Sequence, residues 1–313
     1  MISNRGVKAI SKRLLDGILT MFTAVSVVFF SLRFAAGDPL AILLSQGLAT
    51  RDQIEELRVA LGLDQPLLSQ YLDFLRSLLR GDLGKSLYSG QPVITLIKEQ
   101  YPQTIELAFT ALLFAIGFGL VLGVAAAIRK HSKIGGIAEF SANLGISLPV
   151  SFTGILALFL WLQGLRWSSL DSLLLDLKDL FLPALILGFA SAGALAKVVQ
   201  SGLESSMREP YMLAARARGI KPRLRFIWHA LRPSLPPAIS LAALQAAFLF
   251  SGTVITETVF ARPGLGRMLV DAILQGDFAI VQGIVVLAAA LYVFTQAMAE
   301  ILSIILDPRL ARR

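Results

Sequence analysis

Long apolar stretches separated by short polar ones dominate the chain. A helix needs about 20 mainly apolar residues to cross a hydrocarbon layer of about 30 Å. Six stretches reach that length: Leu14–Ala36, Thr104–Ile128, Ile137–Gln163, Phe181–Gly202, Pro236–Phe260 and Ile280–Leu306. Small residues recur within them, as at Gly117, Gly119, Gly123, Ser191, Gly193 and Ser251. They let helix backbones approach closely, which suits a packed bundle better than separate anchors. The first stretch follows Arg5, Lys8, Lys12 and Arg13, as a secretory signal would. It outruns the roughly 7–15 apolar residues of a signal, so it reads as a retained span. The expected fold is all-α and membrane-integral, with six transmembrane helices.

Residues 37–103 carry mixed charge and predict a small external helical cap. Thr50–Leu61 sets Ile54, Leu57, Ala60 and Leu61 at helical spacing, with Thr50 as N-cap and Gly62 as stop. Pro66–Leu79 puts Leu68, Tyr71, Leu72, Leu75 and Leu79 on one face. The expected organisation is a first span with its N-terminus (1–36), the cap (37–103), a five-helix core (104–306) holding a polar loop (203–235), and a tail (307–313).

Composition agrees with the pattern. Of 313 residues, 55% are hydrophobic and 16% charged, with a mean hydropathy of +0.70. Soluble domains average about 25% charged residues, so this chain has too few to cover a water-facing surface. With no cysteine, disulfides, thiolate metal sites and cysteine nucleophiles are excluded. The net charge of +8 follows orientation. Seventeen lysines and arginines fall in the N-terminus, the loops after spans two and four, and the C-terminus; the short loops opposite hold only Arg166, Lys178, Arg262 and Arg267. Positive loops stay inside, so both termini are expected in the cytoplasm, and nucleic acid is not the expected partner.

Enzymatic readings fail on spacing. Gly84-Lys85-Ser86 resembles the end of a phosphate-binding loop, but Leu79 stands where that motif needs glycine. His131 and His229 lie in separate basic loops, and no metal site is expected. Ion-coupled transport would need charges within the spans. The spans are nearly free of them at mid-depth; Glu106, Lys197 and Glu257 read as lying toward span ends, with Arg33 able to snorkel outward. A bundle without its own coupling charges draws energy from partners, which leaves a secondary transporter as the alternative and a membrane scaffold as a third reading.

The 203–235 loop has structure of its own. Leu213-Ala214-Ala215-Arg216-Ala217-Arg218-Gly219 reads as a short helix introduced by Pro210 and closed by Gly219. At the outer end of the fifth span, Glu257 precedes Pro263, Gly264, Gly266 and Arg267. That composition predicts a tight re-entrant turn, a candidate external gate or dock.

With these stretches in view, the sequence resembles the permeases of binding-protein-dependent ABC importers, and more narrowly the first permease of the dipeptide/oligopeptide/nickel family. The resemblance rests on Ala214-Ala215 with Gly219, then His229-Ala230-Leu231-Arg232-Pro233 before a span. It extends through Gly37-Asp38-Pro39, Leu61-Gly62-Leu63-Asp64-Gln65-Pro66-Leu67 and Gly81-Asp82-Leu83-Gly84-Lys85-Ser86. Glu257-Thr258-Val259-Phe260, Pro263-Gly264-Leu265-Gly266-Arg267, Asp277 with Gln282-Gly283, and Leu306-Asp307-Pro308-Arg309 complete it. Leu213 stands where the general signature has an acid, and Arg232 where it has proline.

The resemblance implies a type I importer permease in a bacterial inner membrane. It would work with a second homologous permease, two ATPase subunits carrying ATP and magnesium, and an extracytoplasmic solute-binding protein. The 213–219 segment would be the coupling helix that docks on one ATPase. The solute would be a peptide, a nickel or other metal chelate, or a glutathione-like compound; the short Gly164–Leu180 segment argues against a large peptide. No bond is made or broken by the permease itself.

This topology predicts that single cysteines at His131 and His229 are labelled from the cytoplasm, and those at Ser45, Ser89 and Asp171 from outside. An impermeant thiol reagent reads this without background, and external labelling at position 131 or 229 would overturn the orientation.

Overall fold

The computed structural model describes residues 4–35, 39–45, 47, 50–164 and 177–306. Expectations placed on Gly37 and Asp38, on Arg166 and Asp171, and on the tail 307–313 lie outside the described residues. Twelve helices account for most of the rest: α1 Asn4–Ala35, α2 Pro39–Ser45, α3 Arg51–Ala60, α4 Leu67–Leu79, α5 Val93–Ile128, α6 Lys133–Ser147, α7 Val150–Gly164, α8 Leu182–Arg208, α9 Pro210–Ala217, α10 Arg232–Val259, α11 Leu265–Gln275 and α12 Phe278–Leu306. Short π-helical turns at Leu177–Phe181 and Arg225–Leu231 lead into α8 and α10.

Among the described residues, five helices are each long and apolar enough to cross a membrane, six if a bent pair counts as one span. The third expected span is therefore not one straight helix. It breaks into α6 and α7, which meet at 110°. Leu148 is extended (φ −89°, ψ 128°) because the Pro149 ring excludes the helical conformation from the residue before it. Hydropathy runs through this break without a mark.

The chain divides into two units, residues 1–103 with 263–293 and residues 104–262 with 294–313. In the first, α1 packs against α4 through aromatic rings. Phe29 sits 5.2 Å from Tyr71 and 5.4 Å from Phe74, centroid to centroid. Ser26 Oγ and Tyr71 Oη share a 2.6 Å hydrogen bond, and the Arg33 guanidinium lies over the Phe29 ring while Nε donates to Gln70 Oε1. The cap helices form where the apolar spacing predicted them. Thr50 caps α3 through a reciprocal capping box with Gln53, and Gly62 beyond it takes φ +64°.

Asp277 anchors another part of the same unit. Its buried carboxylate accepts from Ser86 Oγ (2.6 Å) and the Leu87 amide (3.0 Å), and it heads α12. Tyr88 donates to the Gln275 carbonyl at 2.5 Å. Burial and the nearby Asp277 carboxylate push the Tyr88 phenol above its ordinary range.

In the second unit α8 is the central strut. A Cβ on Gly193 would lie 2.4 Å from the Ala142 carbonyl of α6, and one on Gly188 2.6 Å from the Ala111 carbonyl of α5. The approach is mutual, since Gly145 faces the Phe189 carbonyl and Gly123 the Ala196 carbonyl at comparable distances. Leu107, Ala108, Ala111, Ala184, Leu187 and Leu249 form one buried cluster; Ala127, Val199, Leu203, Ala230 and Ala238 form another.

Gly193→Ala should cost about 1–3 kcal/mol, as overpacking a tight site does, and lower the thermal midpoint in detergent. Gly117→Ala, where an added Cβ meets nothing within 4 Å, should leave it unchanged or slightly raised. Equal behaviour of the two would remove the close-packing account.

Candidate functional site

The short helix expected in the polar loop is present, running from Pro210 to Ala217. Glu209 is extended (ψ 144°) and Pro210 opens the helix, where a missing N–H costs nothing. Its end is an αL turn: Gly219 has φ +73°, its amide donates to Arg216, and the Ile220 amide reaches back to the Ala215 carbonyl. Left-handed geometry at this position is what favours glycine.

One face of α9 is held and the other presented. Ala215 is buried, and Met212 packs on the cluster formed by Val199, Leu203, Ala230 and Ala238. Tyr211, Leu213, Ala214, Arg216, Ala217 and Arg218 face outward, Leu213 at 71% exposure. The presented side of α9 thus combines an exposed leucine with Arg216 and Arg218 beyond it.

Glu257 is fully buried and accepts from Thr104 Oγ1 at 2.7 Å. In the same unit Arg262 Nη2 meets Glu106 Oε2 at 2.8 Å, and Nη1 donates to the Asp179 carbonyl. These partners, 83 to 156 residues apart, are invisible to spacing arguments. The turn after α10 differs from the expected one. Gly264 is extended (φ 165°) and Gly266 is buried inside α11, whereas the left-handed residue is Ala261 (φ 53°). Glycine content suggested special angles at the glycines; the helix end instead falls earlier, where the Arg262 amide closes on the Glu257 carbonyl. Pro263, Gly264, Gly266 and Arg267 belong to the first unit, where Arg267 lies 3.8 Å from Asp271.

Charges within the spans also depart from expectation. Lys197 does not lie near the end of its helix: it is well inside the 27 residues of α8 and pairs with Glu139 of α6 at 3.0 Å. Lys130 pairs with Glu204 at 2.9 Å, and Gln200 donates to the same carboxylate. Glu139, absent from the sequence reading, sits in an otherwise apolar stretch, and only its partner 58 residues away gives it meaning. Among the described residues no three His, Cys, Asp or Glu side chains gather as a metal site requires.

Helices long and apolar enough to cross a membrane, with a short helix fixed between two of them, describe a multi-span membrane protein. Family models agree over both halves. Residues 119–312 match the binding-protein-dependent transport system inner membrane component, and residues 7–108 match the N-terminal part of such membrane components. The chain belongs to this family and is the membrane permease component of an ABC importer. The di/tripeptide transport system permease protein of Pseudomonas aeruginosa is 32% identical over 96% of this chain and 98% of its own. The dipeptide transport system permease protein of Lactococcus lactis is 34% identical, over 97% and 99%. The glutathione transport system permease protein of Salmonella choleraesuis is 32% identical, over 95% and 96%. Among solved structures, the MetNI methionine ABC transporter superposes with a TM-score of 0.53 at 19% identity, covering 68% of this chain and 97% of its own, a likeness of fold.

Burial separates the two charged candidates. Glu257→Ala should cost about 1–3 kcal/mol by removing a buried hydrogen bond to a carboxylate, and it should depress uptake strongly. Arg267→Ala, losing a surface pair worth under about 1 kcal/mol, should depress it little. Uptake and binding-protein-stimulated ATPase of the two variants, measured together, decide; equal losses would sink the ranking.

Proposed function

We propose that this chain forms half of the translocation pathway of an ATP-driven importer for peptides or related small solutes. The other half would be a second, similar permease. Two ATPase subunits would bind ATP and magnesium, and an extracytoplasmic solute-binding protein would deliver the solute. The relatives named for di/tripeptides, dipeptides and glutathione support this substrate class, all of them small solutes with a peptide backbone. Lysine and arginine distribution supports an orientation with both termini and the α9 loop in the cytoplasm.

The observation that carries the mechanism is α9. It is bolted to the bundle by Ala215 and Met212 while Leu213 stays exposed. Such a helix transmits force: closure of an ATPase pair beneath it would move α8 and α10 with it rather than bend a loose tether. Leu213 to Gly219 are the residues assigned to this docking. Glu257, Pro263, Gly264, Gly266 and Arg267 are assigned to the outer gate or binding-protein dock.

Gly219→Val tests the lever. An added Cβ meets nothing within 4 Å, so the cost is backbone strain alone, about 1–2 kcal/mol, placed at the helix end. The variant should insert and assemble but couple hydrolysis poorly to uptake. Arg216→Glu with Arg218→Glu probes docking charge separately. In proteoliposomes holding all partners, wild-type uptake and ATPase stimulation in both variants would mean that α9 is not the transmission element.

A further inference from the structure

Helix α8 carries polar residues at Lys197, Gln200, Ser201, Glu204, Ser205 and Arg208. The intervals of three and four residues put all six on one face. Ser201, Ser205 and Arg208 are exposed, and Lys197 and Glu204 partly so. Most of the large exposed side chains on the other spans are apolar, including Phe109, Leu113, Val121, Phe140, Phe152 and Phe159, with Asp16, Thr20 and Glu106 among the polar exceptions. Lipid explains the apolar faces but not this one.

Depth makes the contrast sharp. At about 1.5 Å rise per residue, Lys197 lies about 22 Å from Leu182 and about 16 Å from Arg208. An upright hydrocarbon layer of about 30 Å lying within the 27 residues of this helix includes Lys197. Charges at that depth face water or a bundle interior. The stripe opens on a cavity of about 640 Å³ whose walls add Lys130, Glu139 and Glu209. Its acids and bases are equal in number: Glu139, Glu204 and Glu209 against Lys130, Lys197 and Arg208.

We propose that this stripe lines a water-filled vestibule on the translocation pathway, and that it selects solutes bearing both an ammonium and a carboxylate. The inference rests on the peptide-importer reading. A zwitterion entering can exchange partners, its ammonium onto Glu139 and its carboxylate onto Lys197, so the ion pair opens without leaving either charge alone. A solute carrying one charge strands one partner, and a stranded charge away from bulk water is costly. Charge-paired walls therefore pass what can replace both halves of the pair.

Two measurements test this, both on the assembled transporter. Ser201→Cys should react with an impermeant thiol reagent from the face at which Arg218→Cys reacts, and Phe140→Cys should not; protection of position 201 would overturn the vestibule. For selectivity, uptake of alanyl-alanine is compared with that of its N-acetyl derivative. The binding protein is the same throughout, so a changed ratio reports the permease. The Glu139→Gln, Lys197→Met double variant should lower the preference for the free dipeptide by about fivefold, the factor one partly exposed ion pair supplies. The charge-swapped Glu139→Lys, Lys197→Glu variant should restore it. Wild-type uptake of the dipeptide with an unchanged ratio in the double variant would overturn the selectivity alone. Failure of the wild-type transporter to take up either peptide would overturn the peptide reading with it.

Discussion

Lipid tails are as apolar as leucine, so a helix in a bilayer gains nothing hydrophobic by leaving lipid for another helix. Association must come from contact close enough for dispersion and backbone dipoles to act. In the second unit that contact is made along α8. Gly188 and Gly193 on α8 bring backbones within reach of α5 and α6, and Gly119, Gly123 and Gly145 return the approach from the other side. Leu187 of α8 fills the space against Gly252 of α10. Three helices are thereby indexed against one.

That arrangement leaves α8 one face for its neighbours and one for charge. Ala192, Leu195, Ala196, Val199 and Leu203 are buried, while the acids and bases fall on the rest of the circumference. Lys197, within the span, has its partner Glu139 on another helix, and Glu204 meets Lys130 in the turn after α5. A single unpaired residue there would be expensive; a pair that bridges helices also fixes their rotation. The polar contacts thus complete the register that the glycines begin.

Much of this was legible before any coordinates. Apolar length located the spans, Thr50 announced a capped helix, and Gly62 and Gly219 marked helix ends that prove to be left-handed turns. All of these are local, decided within one or two turns of chain. What escaped was set by partners far away or by one residue's sterics. Pro149 bends a stretch whose hydropathy is uninterrupted. Glu257 finds Thr104, Arg262 finds Glu106, and Asp277 finds Ser86 across 150 to 190 residues. Ala261 takes the left-handed angle beside glycines that do not need it, because the α10 ladder ends there.

The position of α9 then follows from α8 rather than from its own sequence. Eight residues make too short a helix to be stable alone, so its geometry must come from what it sits on. Met212 rests on the cluster of Val199, Leu203 and Ala230 beside the buried Ala215, and Val199 is also the residue against which Gly123 of α5 packs. A displacement of α9 is therefore felt first at Val199 and Leu203. From there it passes to α5 through Gly123 and to the Lys197 and Glu204 pairs that flank those residues on the same helix. Because close-packed contacts at glycine have no slack to absorb movement, the α8 face that docks α9 and the face that carries the charges must turn together.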